Sequence, residues 1–183
     1  MLLAWRMWGH IILFSLLAAP VVLLTAYLMA RQRASSGTPH PFRTAFADVL
    51  MVAGTLPWLW MILTPGARST PERWTSLVPL RDLHVLTQGP FGVLVVQVGG
   101  NLLVFAALGA LLPIRSARLA RLTAVAAVAA AASLTVEVLQ YVLALHRVSS
   151  IDDVLLNVTG AVLAAIMTKR WWAPPIPEGT VPQ

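Results

Sequence analysis

Ser133 to Gly160 reads S-L-T-V-E-V-L-Q-Y-V-L-A-L-H-R-V-S-S-I-D-D-V-L-L-N-V-T-G. It sets Glu137, Gln140, Arg147, Asp153 and Asn157 in or beside two segments otherwise apolar enough to lie in a lipid bilayer. A charged side chain at the centre of a membrane helix costs roughly 2.5 to 3.5 kcal/mol, so such residues face a bundle interior or a water-filled cavity and find partners there. The stretch therefore predicts two antiparallel membrane helices that share polar groups.

The composition of the whole chain agrees. Of 183 residues, 58% are hydrophobic and 11% charged, where an average soluble domain has about 25% charged. Mean hydropathy is +0.77. The net charge of +6 does not point to nucleic acid, because the basic residues are scattered at the ends of apolar runs instead of forming an aromatic-interleaved patch. Cysteine is absent, which excludes disulfides, thiolate metal sites and cysteine nucleophiles. His10, His40, His84 and His146 fall in separate regions, so no metal site or cofactor is expected.

The fold class expected is all-α: a polytopic membrane helical bundle of about five transmembrane helices. Trp8 to Ala30 is an apolar run flanked by Arg6, Arg31 and Arg33. It exceeds the 7–15 residues of a cleavable signal and suits a retained span, kinked at Pro20. Gln32 to Arg43 is a polar connector and Phe46 to Leu63 a second span. Thr64 to Pro90 is long enough to carry structure of its own, with Leu77 to Leu80 expected on the membrane surface. Phe91 to Ile114, Leu119 to Leu145 and Ile151 to Thr168 complete the spans. This divides the chain into an extra helix and connector (1–45), a four-helix unit (46–172) and a disordered, proline-rich tail (173–183).

Counting Lys and Arg on alternate sides places the amino terminus outside and the carboxyl terminus in the cytoplasm. At about 1.5 Å per helical residue, Asn101, Glu137 and Asn157 lie about 15, 12 and 10 Å inside the outer ends of their spans. Asn101, Glu137, Gln140, Arg147, Asp153 and Asn157 are thus expected to form one polar cluster opening outward, with Arg147 at its rim. Plainer duties are available for several of them. Ser150 followed by Asp152 and Asp153 has the pattern of a helix cap with acids in the first turn. The asparagines can serve as interhelical hydrogen-bond glue, and Arg147 as an interfacial anchor.

At these residues the chain resembles the VanZ-like family of bacterial membrane proteins. Three blocks between Ser76 and Thr168 carry the resemblance: S-L-V-P-L-R at Ser76 to Arg81, N-L-L-V-F-A-A-L-G-A-L-L-P at Asn101 to Pro113, and E-x-x-Q at Glu137 to Gln140 with D-x-x-x-N-x-x-G at Asp153 to Gly160. Ser76, Leu80 and Ala107 stand where the family usually has asparagine, phenylalanine and proline. The resemblance implies a plasma-membrane protein with both polar loops outside, associated with tolerance of glycopeptide antibiotics, teicoplanin especially. The expected function is non-enzymatic: binding a lipid-linked cell-wall precursor or a lipoglycopeptide at the outer leaflet, with the bilayer as the constant partner. The alternative is a small membrane enzyme on a lipid substrate, with Glu137 as general base.

Overall fold

The computed structural model of the protein describes residues 2–65, 74–145 and 148–173. Helix α1 (Leu2–Ser35) keeps Pro20 inside it without ending there. The chain reverses over residues 36–40, where Gly37 has φ of 70° and His40 φ of 50°. Helix α2 (Pro41–Leu63) then begins with proline in its first turn, where the missing N–H has no helical partner to lose.

The long connector does carry structure of its own. Strand β1 (Trp74–Ser76) and the short helix α3 (Arg81–Thr87) lie within it, and Leu77, Val78 and Leu80 are exposed. The span expected as one helix from Phe91 is two: α4 (Phe91–Val104) and α5 (Ala106–Arg115), separated at Phe105 with φ of −112° and ψ of 15°. No proline stands at the break. It falls between two backbone contacts with the last helix, one on each side, so each half can seat separately. Helix α6 (Leu122–Val142) follows, then β2 (Val148–Ser150) and α7 (Ile151–Met167). The proposed disordered tail beyond residue 173 lies outside the described residues.

Gly9–Ser35, Pro41–Leu63, Phe91–Arg115 and Leu122–Val142 are each long and apolar enough to cross a membrane. Helix α7 has 17 residues, at the short end of the roughly 17–25 that span a hydrocarbon core. The molecule is an all-α membrane bundle. Its outward faces carry bare Leu13, Leu17, Val21, Val52, Val138 and Leu163, as a lipid-facing surface requires.

Helix α7 is the hub, packed against α4, α5 and α6, while α2 packs on α5 and carries α1 on its other side. Small residues permit this. A Cβ at Gly109 would overlap the Ala161 backbone, and one at Gly160 would overlap the carbonyl of Leu102. Without a hydrophobic force between helices in lipid, such close approach supplies van der Waals contact instead. Val104, Phe105, Val125, Ala129, Val136, Ala161 and Ala165 fill the space between.

The two ends of the bundle differ in charge. One gathers the C-termini of α1, α5 and α7: Asp48 takes Arg33 and Arg115 at 2.7 Å each, and Arg43 donates to the carbonyls of Ile114 and Trp171. At the other end, β1 and β2 pair in parallel, Trp74 with Val148 and Ser76 with Ser150. This pairing pins the long connector onto the start of α7.

Candidate functional site

The polar residues converge where α7 begins. Ser150 is its N-cap, with extended backbone at φ −123° and ψ 136°, and its hydroxyl accepts the N–H of Asp152 at 3.1 Å. The same hydroxyl donates to Asp82 Oδ2 at 2.5 Å, and Ser76 Oγ donates to Asp82 Oδ1 at 2.9 Å. The strand register that sets Ser76 beside Ser150 therefore also lets one carboxylate bridge them.

Asp152 is 2% exposed, and its carboxylate accepts three backbone N–H groups. Leu80 donates to Oδ1, while Asp82 and Leu83 donate to Oδ2 at 3.0 and 3.1 Å. These are orphan donors at the start of α3, the groups a helix leaves unsatisfied. Asp152 supplies the cap from a distant helix, because α3 has no side-chain cap of its own. Leu80, with φ of 64°, turns the chain into that position.

The residues expected to form one cluster occupy successive levels of this end. Glu137 Oε2 accepts the N–H of Ser150 at 2.9 Å, and its carbonyl accepts Ser149 Oγ at 3.1 Å, so α6 holds the entry to α7. Asn101 Nδ2 donates to Asp153 Oδ1, joining α4 to α7. Deeper in the bundle, Asn157 Nδ2 donates to Ser133 Oγ at 2.8 Å, while Asn157 Oδ1 has no hydrogen-bond partner among the described residues. Gln140 Nε2 donates to the carbonyl of Ile62 at 2.9 Å, one of the last carbonyls of α2, which its own helix leaves free. Arg147 lies outside the described residues.

Asn101 and Asp153 thus meet directly, Glu137 reaches α7 through its cap, and Asn157 and Gln140 bond to neighbouring helices at other levels. Reading the sequence did not single out Asp152, Asp82, Ser76 or Ser133 as parts of the site. Asp152 had a signal in the cap pattern, but an acid in a first turn is ordinarily a surface residue. Nothing local predicts that its partners lie about seventy residues away.

Chemically, this end combines the four carboxylates of Asp82, Glu137, Asp152 and Asp153 with hydroxyls and amides, beside the exposed apolar Leu77, Val78, Leu80 and Val85. Its own hydrogen bonds fix its shape. Among the described residues no group of three or more His, Cys, Asp or Glu side chains could hold a metal ion.

Fold and site together define a polytopic α-helical membrane protein with an acidic, hydrogen-bonded cap at one end and a basic rim at the other. The chain belongs to the VanZ/LLP1 family, whose pattern matches residues 49–172. No curated protein and no solved structure matches it.

Proposed function

We propose that the protein is a non-enzymatic component of the bacterial plasma membrane that binds a lipid-linked cell-wall precursor or a lipoglycopeptide at the outer leaflet, and through that binding confers tolerance of teicoplanin-type antibiotics. The observation that carries this reading is the acidic cap at the start of α7, set beside the exposed apolar segment Leu77 to Leu80. Carboxylates and amide oxygens accept hydrogen bonds from the hydroxyl and ammonium groups of an amphiphilic headgroup. The neighbouring leucines then lie against its apolar tail. The excess of basic residues at the opposite end favours a cytoplasmic position for that end, which turns the cap outward.

The test is teicoplanin and vancomycin susceptibility of a sensitive host expressing the wild-type chain, Asn101→Ala or Glu137→Gln, with membrane levels measured by blot. Raised tolerance with the wild type, lost in Asn101→Ala at equal protein level, is the expected result. Glu137→Gln keeps an acceptor for the Ser150 N–H, so a binder should tolerate it, whereas a loss there at equal protein level favours Glu137 as a general base. No change with the wild-type chain removes the antibiotic from the reading.

A further inference from the structure

Two carboxylates hold α3 in its place. The backbone N–H groups of Leu80, Asp82 and Leu83 donate to Asp152, and the Asp82 carboxylate accepts Ser76 Oγ and Ser150 Oγ. None of the seven residues of α3 is buried, and a helix shorter than about 12 residues is marginal in water when it stands alone. We propose that α3 is a lid over Asp152: it detaches as a unit, and the acceptor positions that its N–H groups occupy pass to hydrogen-bond donors of the ligand. The ligand half of this inference rests on the binding function proposed above, and the opening of the lid does not.

Residues 77–90 run between two fixed points. At one end β1 is paired with β2, Ser76 beside Ser150. At the other, after Gly89 and Pro90, α4 is packed on α7. Between these points Leu77, Val78, Leu80 and Val85 are already exposed, and Leu83 and Leu86 are only half-buried, so little apolar surface is newly uncovered when α3 moves. Elements with few buried apolar contacts are the ones that open locally while the rest of a fold stays closed.

Backbone strain at Leu80 acts in the same direction. Its φ of 64° and ψ of 3° put a leucine in the left-handed region, where Cβ crowds the following carbonyl oxygen. Such a conformation persists only where the surroundings hold it, and here the Leu80 N–H is held by Asp152 itself. Breaking that bond relieves the strain and so favours the open form. Asp152 is 2% exposed with α3 seated. Once α3 leaves, its carboxylate lacks the donors that burial requires. An ammonium or amide group of an amphiphile can supply them, whereas a phosphate brings negative charge and no donor.

The test labels carboxylates of the full chain in phosphatidylcholine nanodiscs with a water-soluble carbodiimide and glycine ethyl ester, read residue by residue by mass spectrometry. Asp48, with a side chain 27% exposed, is the internal control. Asp152 is expected to be modified in the wild type, more slowly than Asp48. The chain has no cysteine, so Asp82→Cys with Ser150→Cys places a single disulfide where the Asp82 and Ser150 side chains touch and locks α3 down. Modification of Asp152 should be lost in the oxidised double variant and return on reduction. Modification of Asp48 without Asp152 in the wild type overturns the lid, as does modification of Asp152 that persists in the oxidised variant. Should the double variant not fold or not crosslink, hydrogen exchange of the wild type decides. Labelling of Asp152 at a rate that follows exchange at Leu80, Asp82 and Leu83 supports the lid, and labelling without exchange there overturns it. No antibiotic enters these measurements, so a closed lid and a failed susceptibility test remain separate results.

Discussion

Asp152, in the first turn of α7, accepts the backbone N–H of Asp82 at 3.0 Å across 70 positions of sequence. With the bonds from Leu80 and Leu83, this single carboxylate caps α3 and adds a second tether to the connector that the β1–β2 pairing already pins.

Replacing Asp152 by Ala leaves three backbone donors without their acceptor. Hydrogen bonds to a charged group contribute about 1.5 to 3 kcal/mol each, though not additively, so a loss of about 3 kcal/mol is expected in the variant. Asp152→Asn keeps one acceptor oxygen and should lose less. Thermal unfolding in detergent gives the ranking, and hydrogen exchange locates the damage. Faster exchange at residues 80–83, with α6 unchanged, is the expected pattern.

Gly160→Ala is expected to be more damaging than its single methyl suggests. The new Cβ would overlap the carbonyl of Leu102, and that is backbone, not a side chain able to swing away. Overpacking of this kind costs about 1 to 3 kcal/mol, and α7 is the hub through which any displacement spreads. A reduced yield of folded protein at wild-type transcript level checks this. Gly99→Ala, where an added Cβ meets nothing within 4 Å, is the control and should behave as wild type.

Asp48→Asn tests the basic end. Asp48 holds both Arg33 and Arg115, yet its side chain is 27% exposed and Arg115 is 42% exposed. Screening by solvent limits the expected loss to about 1 kcal/mol. In an Arg115→Gln background the same substitution should cost less, since one of its two partners is already gone. Unfolding temperatures of the four proteins of this cycle supply the comparison.

Orientation can be read directly, because the chain has no cysteine to interfere. Leu77→Cys, exposed at the acidic end, should react in intact cells with a membrane-impermeant maleimide. Arg118→Cys, exposed at the basic end, should react only after the cells are opened. The reverse pattern would place the cap in the cytoplasm and remove the outer-leaflet ligand.

Much of the fold was legible because membrane helices announce themselves by length and composition. The second span was read within a few residues of α2, and the fourth within a few residues of α6. The break at Phe105 was not legible: no proline or glycine marks it, and it answers to contacts on α7. The site divides in the same way. The sequence set Glu137 and Gln140 against Asp153 and Asn157 across antiparallel spans, whereas Asp153 takes Asn101 and the others bond elsewhere; Asp82 with Ser76 and Ser150 depends on a parallel strand pair separated in sequence by four helices.

Apolar length and the cost of buried charge are local properties of the chain, and they are enough to mark a membrane bundle with costly polar groups near α6 and α7. Which polar group answers which is settled by the packing of the helices. Asp152 could cap its own helix or one far away, and the choice was made by the strand pairing of β1 with β2 and by the closeness that Gly109 and Gly160 allow at the hub. Hydrogen-bond partners are fixed by distance in space, and in this bundle that distance is set by backbone contacts between helices far apart in the chain.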